Sequence, residues 1–387
     1  MDTIIKSILD NDLYKFSMQH AVLQKFPNVK VKYEFIDRWN THYPAGFDNV
    51  VKRYINDMQF LYLHQYEANF LKKIKYFPQS YIDFLHGYRY DASEVNVYLD
   101  QYKHLHIEIE GYWYRTILWE VPILAIVSEA YYKETGVTPT IYIEKDLAKL
   151  KEMEVHNAYF ADFGTRRRFS YNVQNTIVNV FSQNANHCFV GTSNVHLAEL
   201  YKTKPIGTMA HEWIMAHAAL FGYKLSNRLA LENWVDVYGG DLGIALSDTF
   251  TTDVFLRTFD MKLAKLFDGV RQDSGNPFEF ADKVIAHYKS LGIDPTTKTI
   301  VFSDSLNIAK AVELKEYCVG KIKSSFGIGT HLTNDVGVIN PLNIVIKLSA
   351  VEVNGEWNSI VKLSDDKGKH TGDTDEIELC KKVLKIN

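Results

Sequence analysis

The 387-residue sequence predicts an α/β protein, and three observations carry the prediction. From about residue 155 onward, short apolar runs end in polar or glycine-rich clusters before a helical stretch begins. The clusters recur at roughly 16 to 40 residues, the rhythm of strand, loop and helix in a barrel whose active site lies at the C-terminal strand edge. The segments on either side have a different texture, with apolar and polar residues alternating as half-buried strands require. An open doubly wound sheet shares the same rhythm and stays open as the alternative to a barrel.

Taken in order, Leu13, Phe16, Met18 and Val22 have the spacing of a helix face, and Val29, Val31, Tyr33 and Phe35 alternate as a strand. Residues 50–90 are rich in Tyr, Phe and Lys at helical spacing, and Leu105, Ile107 and Ile109 form a second alternating run. The N-terminal part therefore reads as α+β. The punctuated region follows, with clusters at 162–166, 191–194, 207–212, 247–249, 271–275, 303–305 and 327–330. Within it Phe280, Val284, Ile285, Tyr288 and Leu291 make a helix face closed by Gly292. The tail from Leu342 alternates again at Ile344, Ile346 and Leu348, so the N- and C-terminal parts are expected to pack together beside the barrel.

Composition limits the function. Hydrophobic residues at 46% and charged residues at 23% are those of an ordinary globular chain, and 24 Tyr with 22 Phe offer many ring faces for flat ligands. A net charge of −4 argues against a broad nucleic-acid surface, so any phosphate chemistry is local. Cys188, Cys318 and Cys380 lie far apart without a CxxC pair, which fits a reducing cytosol better than a disulfide or zinc framework. The longest apolar run, 121–127, is too short to span a membrane and contains Pro122.

The clusters contain neither GxxxxGK[ST] nor a helix-opening GxGxxG. They supply Arg166, Arg167, Arg168 and Arg271 as cations and Asp248, Asp273 and Asp304 as ligands for a metal or for hydroxyls. Their glycine turns bring backbone N–H groups that reach phosphate. That set suits a phosphorylated sugar with Mg²⁺. Each feature also has an ordinary structural reading. Three adjacent arginines cannot all face one pocket, which singles out Arg166 first; a lone aspartate at a strand end is by default a helix cap; and residues 274–277 alone are a turn. His211 stands out among 14 histidines because it is expected just past a strand, after Gly207 and Thr208 and beside Glu212, a carboxylate able to orient it. A neutral imidazole there can take a phosphoryl group from ATP. His217 is expected on a helix surface, and His331 follows a glycine turn.

The strings NDLYKFSMQHAVLQKFP, LWEVPILAIVSE, DFGTRRRFS, VGTSNVHLA, GTMAHEW, GGDLGIALSDTF, RQDSGNP, VFSDSLN, FGIGTHLTND and VKLSDDKGKHTGD, in that order, resemble the bacterial nicotinate phosphoribosyltransferases over nearly the whole chain. The resemblance implies a type II phosphoribosyltransferase. Its expected fold is an irregular TIM-like α/β barrel at 131–339, with an α+β flanking domain built from 1–130 and 340–387. The implied reaction converts nicotinate, phosphoribosyl pyrophosphate (PRPP), ATP and water to nicotinate mononucleotide, diphosphate, ADP and phosphate in NAD salvage. Mg²⁺ is the implied cofactor, and a cytoplasmic homodimer with shared active sites the implied assembly.

By position in these motifs, His211 resembles the histidine phosphorylated by ATP. Tyr14 resembles a tyrosine lent across the dimer to stack on the pyridine ring, with Phe163 on its other face. Arg166 and Arg271 resemble the arginines near the substrate carboxylate and the ribose phosphate, and Asp273 the acid that touches the ribose. Ser303, Asp304, Gly327, Gly329 and Thr330 resemble the loops that hold the ribose hydroxyls and the 5′-phosphate. The nicotinamide-specific relative carries an aspartate where this chain has Ser193, and an aspartate there would repel nicotinate. More distant alternatives are a TIM-barrel sugar-phosphate isomerase or aldolase, which needs a base or Schiff-base lysine at a strand end where the seven clusters contain no lysine, and a non-catalytic sugar-phosphate sensor, which has no use for His211 and Glu212.

Overall fold

The computed structural model describes residues 3–337, 341–366 and 370–386. The boundary expected at 339/340 and residues 367–369 of the VKLSDDKGKHTGD string lie outside the described residues. The chain divides into two compact units, one comprising 1–151, 161–207 and 328–347, the other 152–160, 208–327 and 348–387.

In the first unit, helix Leu13–Lys25 buries its apolar stripe together with Lys15, Ser17, Gln19 and His20, so nearly every side of its first two turns meets protein. Strands β1 (Lys30–Asp37), β2 (Val95–Leu99) and β3 (Leu105–Tyr112) form an antiparallel sheet in which β3 is central, with Lys30 opposite Tyr112 and Leu99 opposite Leu105. Val31, Tyr33, Val97, Ile107 and Ile109 are buried, as the alternation requires. Helices Phe47–Asp57, Gln65–Leu71 and Gln79–Gly87 fill the stretch between β1 and β2. Helix Glu120–Glu134 is buried almost all round, and Pro122 falls in its first turn, where a missing N–H costs nothing. Strands β4 (Phe160–Asp162) and β5 (Phe189–Thr192) each end in one of the polar clusters.

The second unit contains β6 (Gly239–Leu242) and a run of parallel strands: β7 (Ile244–Leu246), β8 (Gly269–Gln272), β9 (Thr299–Phe302) and β10 (Lys323–Ile328), paired in that order. Parallel neighbours need crossovers, and helix Pro277–Ser290 supplies the one from β8 to β9. Asn276 caps its first turn by accepting from the N–H groups of Phe278 and Glu279, Pro277 opens it, and Gly292 at φ 68° follows it. Phe280, Val284, Ile285 and Tyr288 are its buried face. Gly269 is required by the sheet itself, because a Cβ there would lie 1.9 Å from the Thr299 carbonyl oxygen on β9. Strand β11 (Ile344–Val353) turns into β12 (Glu356–Ser359), with Val353 opposite Glu356. Ile344, Ile346 and Leu348 are all buried. The architecture is α/β, with parallel strands and intervening helices as the sequence predicts.

Candidate active site

Six of the seven clusters lie where a strand gives way to a turn. The exception is 207–212: no named strand precedes it, only an isolated bridge from Pro205 to Thr192, and His211 is the first residue of helix His211–Phe221. The expectation that His211 lies just past a strand is corrected to a helix N-terminus.

In the second unit His211 is the hub. Its Nδ1 lies 3.0 Å from Thr249 Oγ1 and its Nε2 lies 2.9 Å from Asp273 Oδ2. Lys362 Nζ also approaches Nε2 at 2.9 Å. One ring nitrogen cannot donate to a carboxylate and accept from an ammonium at once, so the two partners compete for Nε2. Ser303 Oγ donates to Asp273 Oδ1 at 2.8 Å, and Arg271 lies 3.7 Å from Oδ2. The Arg271 guanidinium is itself held by Thr208 Oγ1 at 2.7 Å and the Met209 carbonyl at 3.0 Å. Asp248 is fully buried and accepts from the Ser274 hydroxyl, yet its Oδ1 has no hydrogen-bond partner. Arg271 Nε and Gln272 Oε1 are likewise buried without one. Such groups are uncommon in folded proteins, and two of the residues that carry them, Asp248 and Arg271, act on His211 or on its partner Asp273.

Lys362 is the residue that sequence reasoning missed. It belongs to none of the seven clusters and is 151 residues from His211. Segment 362–365 is fastened by Leu363 N–H to the Thr249 carbonyl (2.9 Å) and by Asp365 N–H to Ser274 Oγ (3.0 Å). Asp365 in turn accepts from the Thr252 N–H at 2.8 Å. Thr251, which precedes that donor, sits at φ 80°, a backbone region that costs a β-branched residue about 1–3 kcal/mol and persists where its surroundings hold it. A lysine therefore does reach these strand-end residues, and its absence from the clusters no longer counts against an aldolase.

The charges of this cluster are pushed apart. Burial disfavours charge on Asp273, but Arg271, His211 and Lys362 outweigh it and hold the carboxyl well below the usual range. Asp248 moves the other way, raised by burial and by the Asp273 charge against the pull of His211 and Lys362. Burial and then Lys362 lower the His211 pKa, so the imidazole is neutral at neutral pH. Two carboxyls with opposite shifts beside a neutral imidazole are the arrangement expected of acid–base or nucleophilic chemistry. Glu212 is buried in the same helix turn, Asp304 is half-buried and accepts from Ser305 Oγ at 3.0 Å, and Gly327 is buried near the end of β10. His217 is not on a surface: it is buried, with Nδ1 against the Trp213 carbonyl at 2.6 Å and Nε2 against Asn233 at 3.0 Å, and burial lowers its pKa to about 4.

The first unit gathers the remaining residues. Ser193 Oγ donates to Asp12 Oδ1 at 2.7 Å, and both are buried. Gly207 passes so close to the start of helix Leu13–Lys25 that a Cβ there would lie 2.9 Å from the Tyr14 nitrogen. Gly329 packs on the Phe163 carbonyl, 3.1 Å from where its Cβ would be, and Thr330 begins the short helix Thr330–Thr333. Tyr14 and Phe163 are half-buried. The three arginines part company: Arg168 is fully buried and bonded to Asp10, Arg167 is half-buried and reaches Asn343 at 3.1 Å, and Arg166, also half-buried, lies 3.7 Å from Glu120. Glu120 also takes Lys15 at 2.5 Å. His331 is exposed.

Comparison with known proteins gives the family of the chain. The profile of the Nicotinate phosphoribosyltransferase (NAPRTase) family matches residues 158–387, and that of its N-terminal domain matches 9–128. A nicotinate phosphoribosyltransferase of Desulforapulum autotrophicum is 50% identical over 98% of this chain and 99% of its own. The crystal structure of the Porphyromonas gingivalis nicotinate phosphoribosyltransferase superimposes with a TM-score of 0.97 at 46% identity, covering 99% of this chain and 100% of its own. That of Vibrio cholerae superimposes with a TM-score of 0.93 at 36% identity, covering 100% and 95%. With both halves matched and the identity this high, the chain belongs to the nicotinate phosphoribosyltransferase family.

Proposed function

We propose that this enzyme joins nicotinate to PRPP to give nicotinate mononucleotide and diphosphate, and that it couples the transfer to ATP through phosphorylation of His211. The observation that carries the coupling is the His211–Asp273 contact at 2.9 Å inside a partly closed polar cluster. A carboxylate accepting from Nε2–H fixes the tautomer and leaves the Nδ1 lone pair, held by the Thr249 hydroxyl, as the nucleophile. An N–P bond forms at Nδ1 as the γ-phosphoryl leaves ADP, and the phosphohistidine tightens PRPP binding until hydrolysis releases phosphate. Arg271 and Lys362 offset the negative charge that gathers around the histidine. Displacement of diphosphate at the ribose passes through a cationic state that needs positioning and charge more than covalent help. Ser303, Asp304, Gly327, Gly329 and Thr330 hold the ribose phosphate in this reading, Tyr14 and Phe163 the pyridine faces, and Arg166 with Ser193 the carboxylate.

Among the described residues no group of three or more His, Cys, Asp or Glu is placed to hold a metal. The unpartnered Asp248 Oδ1 nevertheless fits Mg²⁺, which takes one or two carboxylates and completes its shell from substrate phosphates. Bound Mg²⁺ supplies charge neutralisation for the departing diphosphate. On the family resemblance we further propose a cytoplasmic homodimer whose active sites are shared. We propose, too, that segments 1–130 and 340–387 form its flanking domain.

The test is diphosphate release from PRPP and Mg²⁺ with nicotinate or nicotinamide, each with and without ATP. Release with nicotinate that rises with ATP supports the reading, whereas release with nicotinamide alone contradicts the substrate and an absent ATP effect contradicts the coupling.

A further inference from the structure

A serine hydroxyl has one proton to give, and Ser193 gives it to Asp12 at 2.7 Å. In that state the outward side of Ser193 Oγ carries only lone pairs, which accept from an amide N–H but cannot donate to a carboxylate. A substrate carboxylate arriving there also meets a buried aspartate directly behind the serine. The pair is fixed in place: Leu13 N–H donates to the Ser193 carbonyl at 2.8 Å and Ser193 N–H to the Asp162 carbonyl at 2.8 Å. Asp12 precedes helix Leu13–Lys25 but makes no side-chain cap to it, so its carboxyl is committed to Ser193 and the Thr165 hydroxyl instead.

We infer that Asp12 is a positioning residue that sets the direction of the Ser193 hydroxyl, and that nicotinate, unlike nicotinamide, binds together with one proton taken up by Asp12. A neutral Asp12 donates its own O–H to Ser193 Oγ, which frees the serine proton to point at the substrate carboxylate. A charged Asp12 keeps that proton and repels the substrate. The inference rests on the reading of Ser193 as a nicotinate contact. The groups facing Asp12 are Arg166 and Thr165 from the turn Thr165–Arg167, Glu120 from helix Glu120–Glu134, Asp162 from the end of β4, and Lys15, on its own helix, which is paired to Glu120. Burial makes the carboxyl harder to ionise, Glu120 adds to this, and Arg166, Ser193 and Thr165 oppose it; the net direction is upward from 3.8. A proton bound with the ligand makes affinity fall about tenfold per pH unit above the titration of the free group.

The experiment measures the preference for nicotinate over nicotinamide, as the ratio of their dissociation constants, from about pH 6 to about pH 9. The ratio cancels titrations that affect both ligands alike, such as that of His211. A preference that declines with rising pH, and a flat profile in Asp12→Asn, whose amide donates to Ser193 without titrating, are the expected results. A flat profile in the unaltered protein, or a decline that persists in Asp12→Asn, overturns the inference. Ser193→Ala separates the two levels: if it leaves the preference unchanged, the Ser193 reading itself fails, whereas if it lowers a preference that never depended on pH, only the role of Asp12 fails. Should Asp12→Asn not fold, calorimetry of nicotinate binding to the unaltered protein in two buffers of different ionisation enthalpy counts the protons. An uptake of about one upholds the inference and none overturns it.

Discussion

Arg168 with Asp10 is an ion pair and neutral His211 with Asp273 a hydrogen-bonded pair, both at hydrogen-bond distance, but their surroundings differ in kind. Arg168 and Asp10 are wholly buried and matched: the guanidinium meets both carboxylate oxygens at 2.7 and 2.9 Å and also the Gln174 amide oxygen, while Asn194 donates to Asp10. Arg168 holds Asp10 in its charged form against the cost of burial. His211 and Asp273 keep 14% and 27% of their side-chain surface, Lys362 competes for the same nitrogen, and unpartnered polar atoms lie alongside. Arg168 Nε is also buried without a partner, so what separates the two groups is the contested nitrogen and the remaining exposure at His211, which keep capacity for substrate where the sealed pair locks a fold.

The comparison breaks first if the sealed pair tolerates damage. Arg168→Met leaves Asp10 buried without its cation and is expected to cost about 3–5 kcal/mol in denaturant unfolding, while His211→Asn costs far less. Because the folded-state pKa of Asp10 is depressed, its contribution is present above the unfolded value of 3.8 and is lost as pH falls below it. Asp273→Asn tests the open cluster: it keeps the shape but removes the carboxylate that fixes the tautomer, so rapid-quench phosphorylation from ATP should slow by about 10²-fold or more with the melting temperature little changed.

A smaller effect is expected at Ser193→Asp. The new carboxylate would share a proton with Asp12, and nicotinate kcat/KM should fall about 10- to 100-fold while nicotinamide use rises, as steady-state kinetics would report. Smallest is Lys362→Met. Lys362 helps lower the His211 pKa below 6.5, and the proposed ATP-stimulated rate is expected to be lost as pH falls through that pKa. Removing the ammonium raises it, so the acid limb of the pH–rate profile should move to higher pH.

Local signals made much of this legible in the sequence. Asn276, Pro277 and Gly292 mark the ends of a helix whose buried face repeats every three or four residues, and Ile344, Ile346 and Leu348 announce β11 by alternation. Clusters at strand ends pointed to Asp248 and Asp273 for the same reason, and the family resemblance to Ser303. What the sequence withheld are pairings made by tertiary folding. Asp12 meets Ser193 across 181 positions, and Lys362 reaches His211 from a C-terminal segment with no motif of its own beyond the family string. The misplaced His217 shows the same limit: its neighbours Met215, Ala216, Ala218 and Ala219 are apolar, and Trp213 and Asn233 satisfy both ring nitrogens inside the protein.

The central claim is that the open cluster exists to phosphorylate His211, and the most direct test is to label the enzyme with γ-labelled ATP, quench it in alkali and map the labelled peptide. Acid-labile phosphate on His211, absent from His211→Asn, is the expected result. ATP turnover with no label on His211, or with label on another residue, would contradict it.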